Sequence, residues 1–508
     1  MRLSRRALVA SGAVLPMLRS AQALAAPKDL LIFGLSGYPA SLAVWSQVGT
    51  SATTVKLLTH RGLLSFDAKG ELRGELAESW APRGSNGWEF RLREAKFATG
   101  ARVTAADVRW TLEQLPDARH AAYYRGVFAD LDRIETPDDR TVVIHTKAPL
   151  VTLPLIMAMP HMMIVPAGAV AERGQLPPGA GPYVLKAQER GVALEFERSE
   201  HYYRPGLPRT PRVRMVAYAD ETLRVAALKS GDVDIIEYVP WQSMGMIEAD
   251  PTLKMDQTFG PFMYLTFNGQ AGPFTNPLLR QAVAFGVRRD DVVNAAFFGR
   301  GAALGGLPIV KESPYYDEAT ANHWTYDPAR VKALLAQAGV PGGFSCKLLS
   351  NAQFTMHRST AEVVQQSLAS VGIAVDLQLP DYATYTTLGN RGQYEMALVG
   401  NVSDYNDPDG LASLIDGSLP VSFVRSFNLN IPELHDNLVL GRQEADAAKR
   451  KAIYAKVVQI ALEKAPIVGL AWRAQAYAMK AKVSGFASLP GQLTFFSGMT
   501  LEDTSIEG

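Results

Sequence analysis

The chain has 508 residues, of which 47% are hydrophobic and 20% charged, and its formal net charge is +1. This length allows more than one hydrophobic core. So small a net charge creates no field that would recruit nucleic acid or an anionic membrane. The one cysteine, Cys346, excludes an intramolecular disulfide and a cysteine-rich metal site, and is most simply a buried small apolar residue.

Residues 1–25 have the features of an export signal. Arg5 and Arg6 precede a mildly apolar segment, and Ala23-Leu24-Ala25 is a small-x-small cleavage site. The adjacent arginines resemble a twin-arginine signal, and an ordinary secretion signal with two arginines is the alternative. In both cases the mature chain would begin near Ala26. No later run of about 18 apolar residues follows, so we expect a soluble periplasmic protein.

The first mature elements are short strands and one capped helix. Residues 30–35 predict a strand, and residues 88–92 alternate apolar and polar side chains as a half-buried strand does. Thr104 and Asp107 have capping-box spacing. They predict the start of a helix whose apolar face is formed by Val108, Leu112 and Leu115.

Several short motifs follow one another between residues 57 and 108. They are Gly62-Leu63-Leu64, the turn 67–70, Leu76-Ala77-Glu78-Ser79-Trp80, Phe90-Arg91-Leu92-Arg93, Phe97 with Gly100, and Thr104-Ala105-Ala106-Asp107-Val108. In this order and spacing they resemble the extracytoplasmic solute-binding proteins of ATP-binding-cassette importers, in the branch that binds peptides, nickel complexes and related solutes. One departure is Ala98-Thr99, where relatives often carry His-Asp before the glycine.

The resemblance implies an α/β, two-lobed periplasmic-binding-protein fold of the large cluster C type. Its ligand cleft would lie between lobes that are joined by crossing strands. The implied divisions are lobe I at 26–263 with an extra subdomain at about 70–180, lobe II at 264–478, and a C-terminal return to lobe I at 479–508. Hinges would lie near 262–268 and 472–479, where the chain crosses between lobes.

Helices and strands alternate through the second half of the chain, which indicates a sheet with helices packed on its faces. A helix that starts after Asp220 and ends at Gly231, followed by a strand at 233–236, precedes this region. The predicted strands lie at 264–268, 373–379, 394–399 and 467–479. The predicted helices lie at 277–287, 328–338, 357–371, 382–388 and 445–464.

The strand predicted at 394–399 leads into an acidic loop. This loop contains Asp404, Asp407 and Asp409, and Pro408 and Gly410 interrupt regular structure there. Ligands of open α/β sheets bind at the carboxyl ends of strands. A carboxylate at this position can therefore hold a cationic group such as an ammonium. The alternative is a solvated acidic turn.

The resemblance assigns a role to one of these carboxylates. Asp404 falls where peptide-binding relatives place the aspartate that pairs with the ligand's α-ammonium, whereas Asp407 and Asp409 are interpreted as turn formers. The backbone of Gly400, Asn401, Val402 and Ser403 would offer N–H and C=O groups to an extended ligand, as in strand addition.

Three positions bear on which ligand is bound. Asn401 stands where relatives often have a tryptophan, and Asn351 stands where dipeptide-specific relatives have an arginine for the ligand carboxylate. His357 matches a histidine of oligopeptide binders, with a surface histidine at a helix start as the alternative. A dipeptide specialist is therefore not expected, and a longer peptide or an amine-bearing solute such as an opine remains open.

Other classes of function find little support. The chain has no His-Glu-x-x-His or Gly-x-Ser-x-Gly pattern, and the spacing of Asp404, Asn406 and Asp409 does not match a calcium loop. We expect no enzyme activity, no cofactor and no resident metal.

The predicted function is the substrate-binding component of an importer. We expect a monomer whose partners are a small solute or short peptide and the transmembrane permease, and not nucleic acid. A binder of a nickel chelate, another metal chelate or haem on the same fold, and a ligand-presenting sensor or chaperone, are the alternatives.

Overall fold

The computed structural model describes residues 29–46, 49–129, 131–169 and 176–506. The predicted export signal, residues 1–25, lies outside the described residues. Within those ranges, no helix combines the length and the apolar character needed to cross a membrane.

The described residues form nineteen strands and fifteen α-helices. The strands are β1 (Leu30–Leu35), β2 (Leu64–Phe66), β3 (Leu72–Gly74), β4 (Ala77–Pro82), β5 (Gly87–Leu92), β6 (Leu131–Asp138), β7 (Thr141–Thr146), β8 (Tyr183–Glu189), β9 (Ala193–Arg198), β10 (Arg212–Ala217), β11 (Ile235–Ile236), β12 (Leu253–Phe267), β13 (Gly301–Ala303), β14 (Phe344–Leu349), β15 (Ile373–Gln378), β16 (Met396–Asn401), β17 (Val468–Lys480), β18 (Val483–Ser484) and β19 (Ser505–Ile506).

The α-helices are α1 (Thr50–Thr59), α2 (Ala105–Gln114), α3 (Arg125–Ala129), α4 (Leu153–Met157), α5 (Glu221–Ser230), α6 (Trp241–Glu248), α7 (Pro277–Gly286), α8 (Arg289–Phe297), α9 (Glu318–Ala321), α10 (Pro328–Gln337), α11 (Thr355–Ala369), α12 (Tyr382–Asn390), α13 (Ala412–Ile415), α14 (Pro432–Gln443) and α15 (Ala447–Lys464). Short 3-10 helices occupy Ala118–His120, Pro273–Thr275 and Pro408–Leu411, and a longer one occupies Gly491–Asp503.

Two long antiparallel strands, β12 and β17, lie in the middle of the main sheet. The strand order is β15-β14-β16-β12-β17-β11-β1-β10-β9-β8, and β13 also pairs with β17. The first lobe therefore contributes the strands on one side of the β12–β17 pair, and the second lobe contributes β16, β14 and β15 on the other side. This is the two-lobed α/β arrangement that the sequence predicts. The boundaries of the lobes at 263/264 and 478/479, the subdomain at about 70–180 and the hinge positions stay predictions.

Local sequence signals place several elements correctly. The backbone N–H of Thr104 donates to the Asp107 carboxylate over 2.8 Å at the start of α2, as a capping box requires. Asp220 accepts from the backbone N–H of Leu223 over 2.8 Å at the start of α5. Gly231 ends this helix with a φ of 94°, a conformation that glycine adopts at low cost.

Other elements differ from the prediction. β12 begins at Leu253 rather than near Tyr264, because its N-terminal half pairs with the far end of β17, a partner that no local pattern reveals. Gly260 and Pro261 interrupt the strand signal, and the structure has a register irregularity there. A Cβ atom at Gly260 would lie 1.8 Å from the carbonyl oxygen of Gly491, so this close approach requires glycine. The helix α14 was not predicted.

The largest hydrophobic core lies in lobe II, where β12, β14, β16 and β17 pack against α7, α10, α11 and α15. Cys346 belongs to this core and is buried, as expected for a lone apolar thiol. Lobe I has separate clusters around β1 and β10 and around the four-stranded sheet β4-β5-β7-β6.

A buried ionic network ties the C-terminal segment to residues of lobe I. Arg61 contacts the Glu502 carboxylate over 2.7 Å and the Glu75 carboxylate over 3.3 Å, and these three side chains are almost completely excluded from solvent. Arg204 contacts Glu75 over 3.0 Å and also pairs with Glu502. The guanidinium of Arg73 adds a contact of 2.8 Å to Glu75. Distant parts of the chain are thus held together by buried pairs of opposite charge.

Candidate ligand-binding site

The strand β16 brings the predicted acidic loop to the middle of the molecule. Gly400 pairs with Met263 of β12 on one side. The Leu398 carbonyl accepts a hydrogen bond from the hydroxyl of Tyr385 over 2.8 Å. Because backbone groups alternate in direction along a strand, those of Gly400 face the same side as those of Leu398, away from β12. This side of Gly400 is the side on which an extended ligand would add.

The Asp404 side chain is half-buried between the lobes. Its Oδ1 accepts a hydrogen bond of 2.7 Å from the hydroxyl of Tyr123 in lobe I. Among the described residues, no lysine or arginine nitrogen lies within 4.0 Å of this carboxylate. Burial raises the pKa of Asp404 to about 6, and the charge of Asp409 adds to this effect, whereas Tyr123 and Arg425 oppose it. The group therefore differs from the carboxylate of a solvated acidic turn.

The other predicted residues of the loop have different surroundings. Asn401 and Val402 are half-buried, and Ser403 is buried. The Ser403 backbone N–H donates to the side-chain oxygen of Gln492 over 2.8 Å. This donor already bonds within the protein, and contact between Ser403 and a ligand stays a prediction.

His357 and Asn351 are both buried near the start of α11, so the alternative of a surface histidine is wrong. The His357 ring lies 5.8 Å from the ring of Tyr385, and its Nε2 is 3.4 Å from the place that a Cβ of Gly400 would occupy. Burial, with a contribution from Arg473, lowers the pKa of His357 to about 4, which keeps the ring neutral at physiological pH. Asn351 accepts from the backbone N–H of Phe354 over 3.1 Å.

Aromatic side chains that the sequence did not single out approach this region from both lobes. Phe354 and Tyr382 of lobe II are 39% and 42% exposed, and their rings contact each other at 5.2 Å. Tyr123 of lobe I is 40% exposed. Exposed aromatic rings near a half-buried carboxylate are suited to pack against a small organic ligand. No local pattern distinguishes them from ordinary surface aromatic residues.

Arg473 and Gln475 on β17 are the polar residues that the sequence reasoning missed. They are 3% and 2% exposed, and Arg473 donates to the Gln475 side-chain oxygen over 3.3 Å. The guanidinium carbon of Arg473 lies 5.9 Å from the ring centre of Tyr238 and 5.8 Å from that of Trp241, both in lobe I. A signal was present, since an arginine and a glutamine interrupt an otherwise apolar strand.

Asp407 and Asp409 do more than form a turn, so that interpretation is corrected. Asp407 accepts two hydrogen bonds, of 2.7 and 2.8 Å, from the guanidinium of Arg450. Asp409 is buried and accepts from Arg442 Nε and from the hydroxyl of Thr152, each over 3.0 Å. These carboxylates anchor the loop that carries Asp404, with Asp409 reaching residues of both lobes.

The described ranges contain no group of three or more His, Cys, Asp or Glu side chains arranged to hold a metal ion. His435 contacts the Asp416 carboxylate over 3.0 Å.

Comparison with known proteins identifies the family. The model of the bacterial extracellular solute-binding proteins, family 5 (middle), matches residues 71–422. The chain belongs to this family. It is 26% identical over 519 residues to the glutathione-binding protein GsiB of Escherichia coli (strain K12), covering 99% of each chain.

Solved structures agree with this assignment. The periplasmic binding protein AgaA of A. tumefaciens R10, in complex with agropinic acid, superposes with a TM-score of 0.87 at 39% identity, covering 94% of this chain and 99% of that one. The DppA protein of Helicobacter pylori, in complex with the peptide STSA, superposes with a TM-score of 0.81 at 20% identity, covering 94% of this chain and 98% of that one. At that identity the second likeness shows the fold alone.

As a family 5 solute-binding protein, the chain is the extracytoplasmic substrate-binding component of an ATP-binding-cassette importer. Its partners are a small solute or peptide and the membrane permease. The two-lobed fold predicted from the sequence is confirmed.

Replacing Asp409 by asparagine is expected to lower the free energy of unfolding by about 2 kcal/mol, because Arg442 loses its anionic partner at a buried position. Chemical denaturation of the unliganded protein measures this change. Asp376→Asn, at an exposed position of β15, is the matched control and should leave stability unchanged. Equal stability of the two variants would contradict this prediction and would show that Asp409 is only a turn former.

Proposed function

We propose that this protein captures an opine, that is, a conjugate of an amino acid with a sugar or a keto acid, in the periplasm and delivers it to the permease. The observation that carries this proposal is the 39% identity, over 94% of this chain, to a binding protein whose structure contains agropinic acid. Other similar proteins, at 26% identity or less, are named for glutathione, peptides or nickel complexes.

The chemistry of the cleft supports a small polar ligand. In the proposed site the Asp404 carboxylate accepts a hydrogen bond from an amine or hydroxyl group of the solute. The backbone of Gly400, Asn401 and Val402 lies along the ligand. His357 and Asn351 line the side near α11, where a neutral imidazole and a carboxamide favour polar uncharged groups over a free charge.

Closure of the lobes would complete the site. Tyr123 of lobe I donates to Asp404 of lobe II, so residues of the two lobes already meet at the proposed ligand position. A ligand can favour the closed form only through contacts that are better in that form. The crossing strands β12 and β17 would bend near 262–268 and 472–479, toward the C-terminal end of each strand, as hinges at the ends of elements do.

A short peptide such as glutathione is the second candidate. This candidate is favoured by Asp404, whose pKa is raised and which has no basic partner within 4.0 Å in the described part of the chain. Such a carboxylate is a suitable partner for the ammonium group of a peptide. The 26% identity to a glutathione-binding protein over 99% of both chains agrees with this candidate.

Native mass spectrometry of the protein as purified, followed by calorimetric titration, tests the proposal. The titrants are agropinic acid, mannopinic acid, glutathione and the tetrapeptide STSA. We expect the mass of a monomer. We also expect one of the two opines to bind at least tenfold more tightly than either peptide, which is a difference of about 1.4 kcal/mol. Tighter binding of glutathione would replace the first candidate by the second. A retained metal chelate or haem, with no binding of the four probes, would contradict both.

A further inference from the structure

One buried arginine in this protein lacks the partners that the others have. The described residues include seven arginines with at most 8% exposure. Arg61 and Arg450 pair with carboxylates. Four more donate to backbone carbonyls: Arg224, Arg280, Arg289 and Arg425. Arg473, which is 3% exposed, has only the 3.3 Å hydrogen bond to Gln475.

The polar groups around Arg473 are arranged to receive an acceptor. Among the described residues no carboxylate oxygen lies within 4.0 Å of Arg473, and its Nε has no hydrogen-bond partner. The Nε2 of Gln475, two residues along the same strand, is also buried without a partner. Side chains at i and i+2 of a strand face the same side. Two unsatisfied donors, one of them charged, thus lie next to each other on one face of β17.

Their position is between the lobes. Tyr238 and Trp241 of lobe I flank the guanidinium, and His357 of lobe II lies near enough for the charge of Arg473 to affect its ionisation. His357 in turn contacts the place next to Gly400 on β16. The arginine is therefore beside the proposed ligand strand, on a crossing strand that both lobes share.

We propose that Arg473, assisted by Gln475, binds a carboxylate of the transported solute. A buried guanidinium without an anionic partner is costly, and a carboxylate that accepts from Nε and from Gln475 would remove that cost. This inference rests on the proposed function and specifies it: the solute carries an anionic group at one end.

The two ends of the site are then chemically different. Asp404 takes a donor group of the solute, and Arg473 takes its carboxylate. A solute with both groups fits in one orientation. The arginine expected for dipeptide-specific relatives at Asn351 is absent, and Arg473 supplies the positive charge from the crossing strand instead.

A simple carboxylate tests the site without knowledge of the solute. Propionate is expected to raise the melting temperature of the wild-type protein, whereas propionamide at the same concentration, with ionic strength matched by chloride, is not. Arg473→Gln is expected to abolish the propionate effect. Arg288→Gln, which removes the same charge from an exposed position, should retain it. An equal propionate shift in Arg473→Gln, or none in the wild type, would overturn the proposal.

Two further measurements distinguish this inference from its alternatives. Because Arg473 is buried without a carboxylate, Arg473→Gln should not lower the melting temperature of the unliganded protein, whereas a purely structural arginine would. In titration, agropinic acid should bind the wild type at least about 30-fold more tightly than its methyl ester, and Arg473→Gln should bind both alike. If neither opine form binds, the opine proposal fails while the propionate result still decides the role of Arg473.

Discussion

Replacing Glu502 by glutamine is expected to destabilise the protein by about 3–5 kcal/mol, because it leaves the buried guanidinium of Arg61 with one carboxylate fewer. Glu502 is 1% exposed and contacts Arg61 over 2.7 Å, in addition to its pair with Arg204. Chemical denaturation followed by circular dichroism measures the loss. The solute affinity of the protein that remains folded should not change, because the network lies in lobe I away from Asp404.

The matched control for this variant is Glu463→Gln. Glu463 pairs with Lys464 on the surface, and its side chain is 63% exposed. Solvent screens such a pair, so the substitution should have no measurable effect on stability. If Glu502→Gln is as stable as the control, the attraction within the network only offsets the cost of burying its charges.

The same network predicts an acid dependence of stability. Burial opposes ionisation of Glu75, but the guanidinium groups of Arg61, Arg204 and Arg73 outweigh it and lower its pKa to about 2. A carboxylate whose pKa is lowered by folding stabilises the folded state above its ordinary pKa. This contribution is therefore lost as the pH falls from about 4.5 toward 2.

Asp404→Asn is expected to weaken binding of an amine-bearing solute at least tenfold, about 1.4 kcal/mol, because the solute loses its anionic partner. The affinity of the wild type should also fall as the pH drops below about 6, where Asp404 becomes protonated. Calorimetric titration at several pH values measures both effects. In Asp404→Asn the pH dependence in this range should disappear.

The stability of unliganded Asp404→Asn gives an independent check. The expected change in stability has the opposite sign to that expected for Glu502→Gln. Burial raises the pKa of Asp404 from 3.8 to about 6, so ionisation is less favourable in the folded protein than in the unfolded chain. The cost appears as the pH rises through this interval and is fully present above pH 6. Asp404→Asn should therefore melt at or above the wild-type temperature at pH 8, and the two should converge near pH 4.

The control for Asp404 is Asp376→Asn, which removes one exposed carboxylate of lobe II. It should change neither the affinity nor its pH dependence. Unchanged affinity in Asp404→Asn, or a clear loss of melting temperature at pH 8, would show that Asp404 supports the fold instead of binding the solute.

The amino-acid sequence by itself determined the elements that depend on neighbouring residues. The apolar run of β1, the capping box at Thr104 and Asp107, and the glycine that ends α5 are local signals, and the structure has these elements where they were expected. The order of motifs between residues 57 and 108 also indicated the family, which the match to the family model confirms.

Tertiary structure decided the environment of each candidate residue. The sequence placed Asp404, Asp407 and Asp409 in one loop, but only the fold shows that Asp407 and Asp409 meet arginines from α14 and α15 while Asp404 meets a hydroxyl from lobe I. The first half of β12 was missed for the same reason. Burial and electrostatic partners depend on segments hundreds of residues apart in the chain, and no local spacing encodes which of them come together.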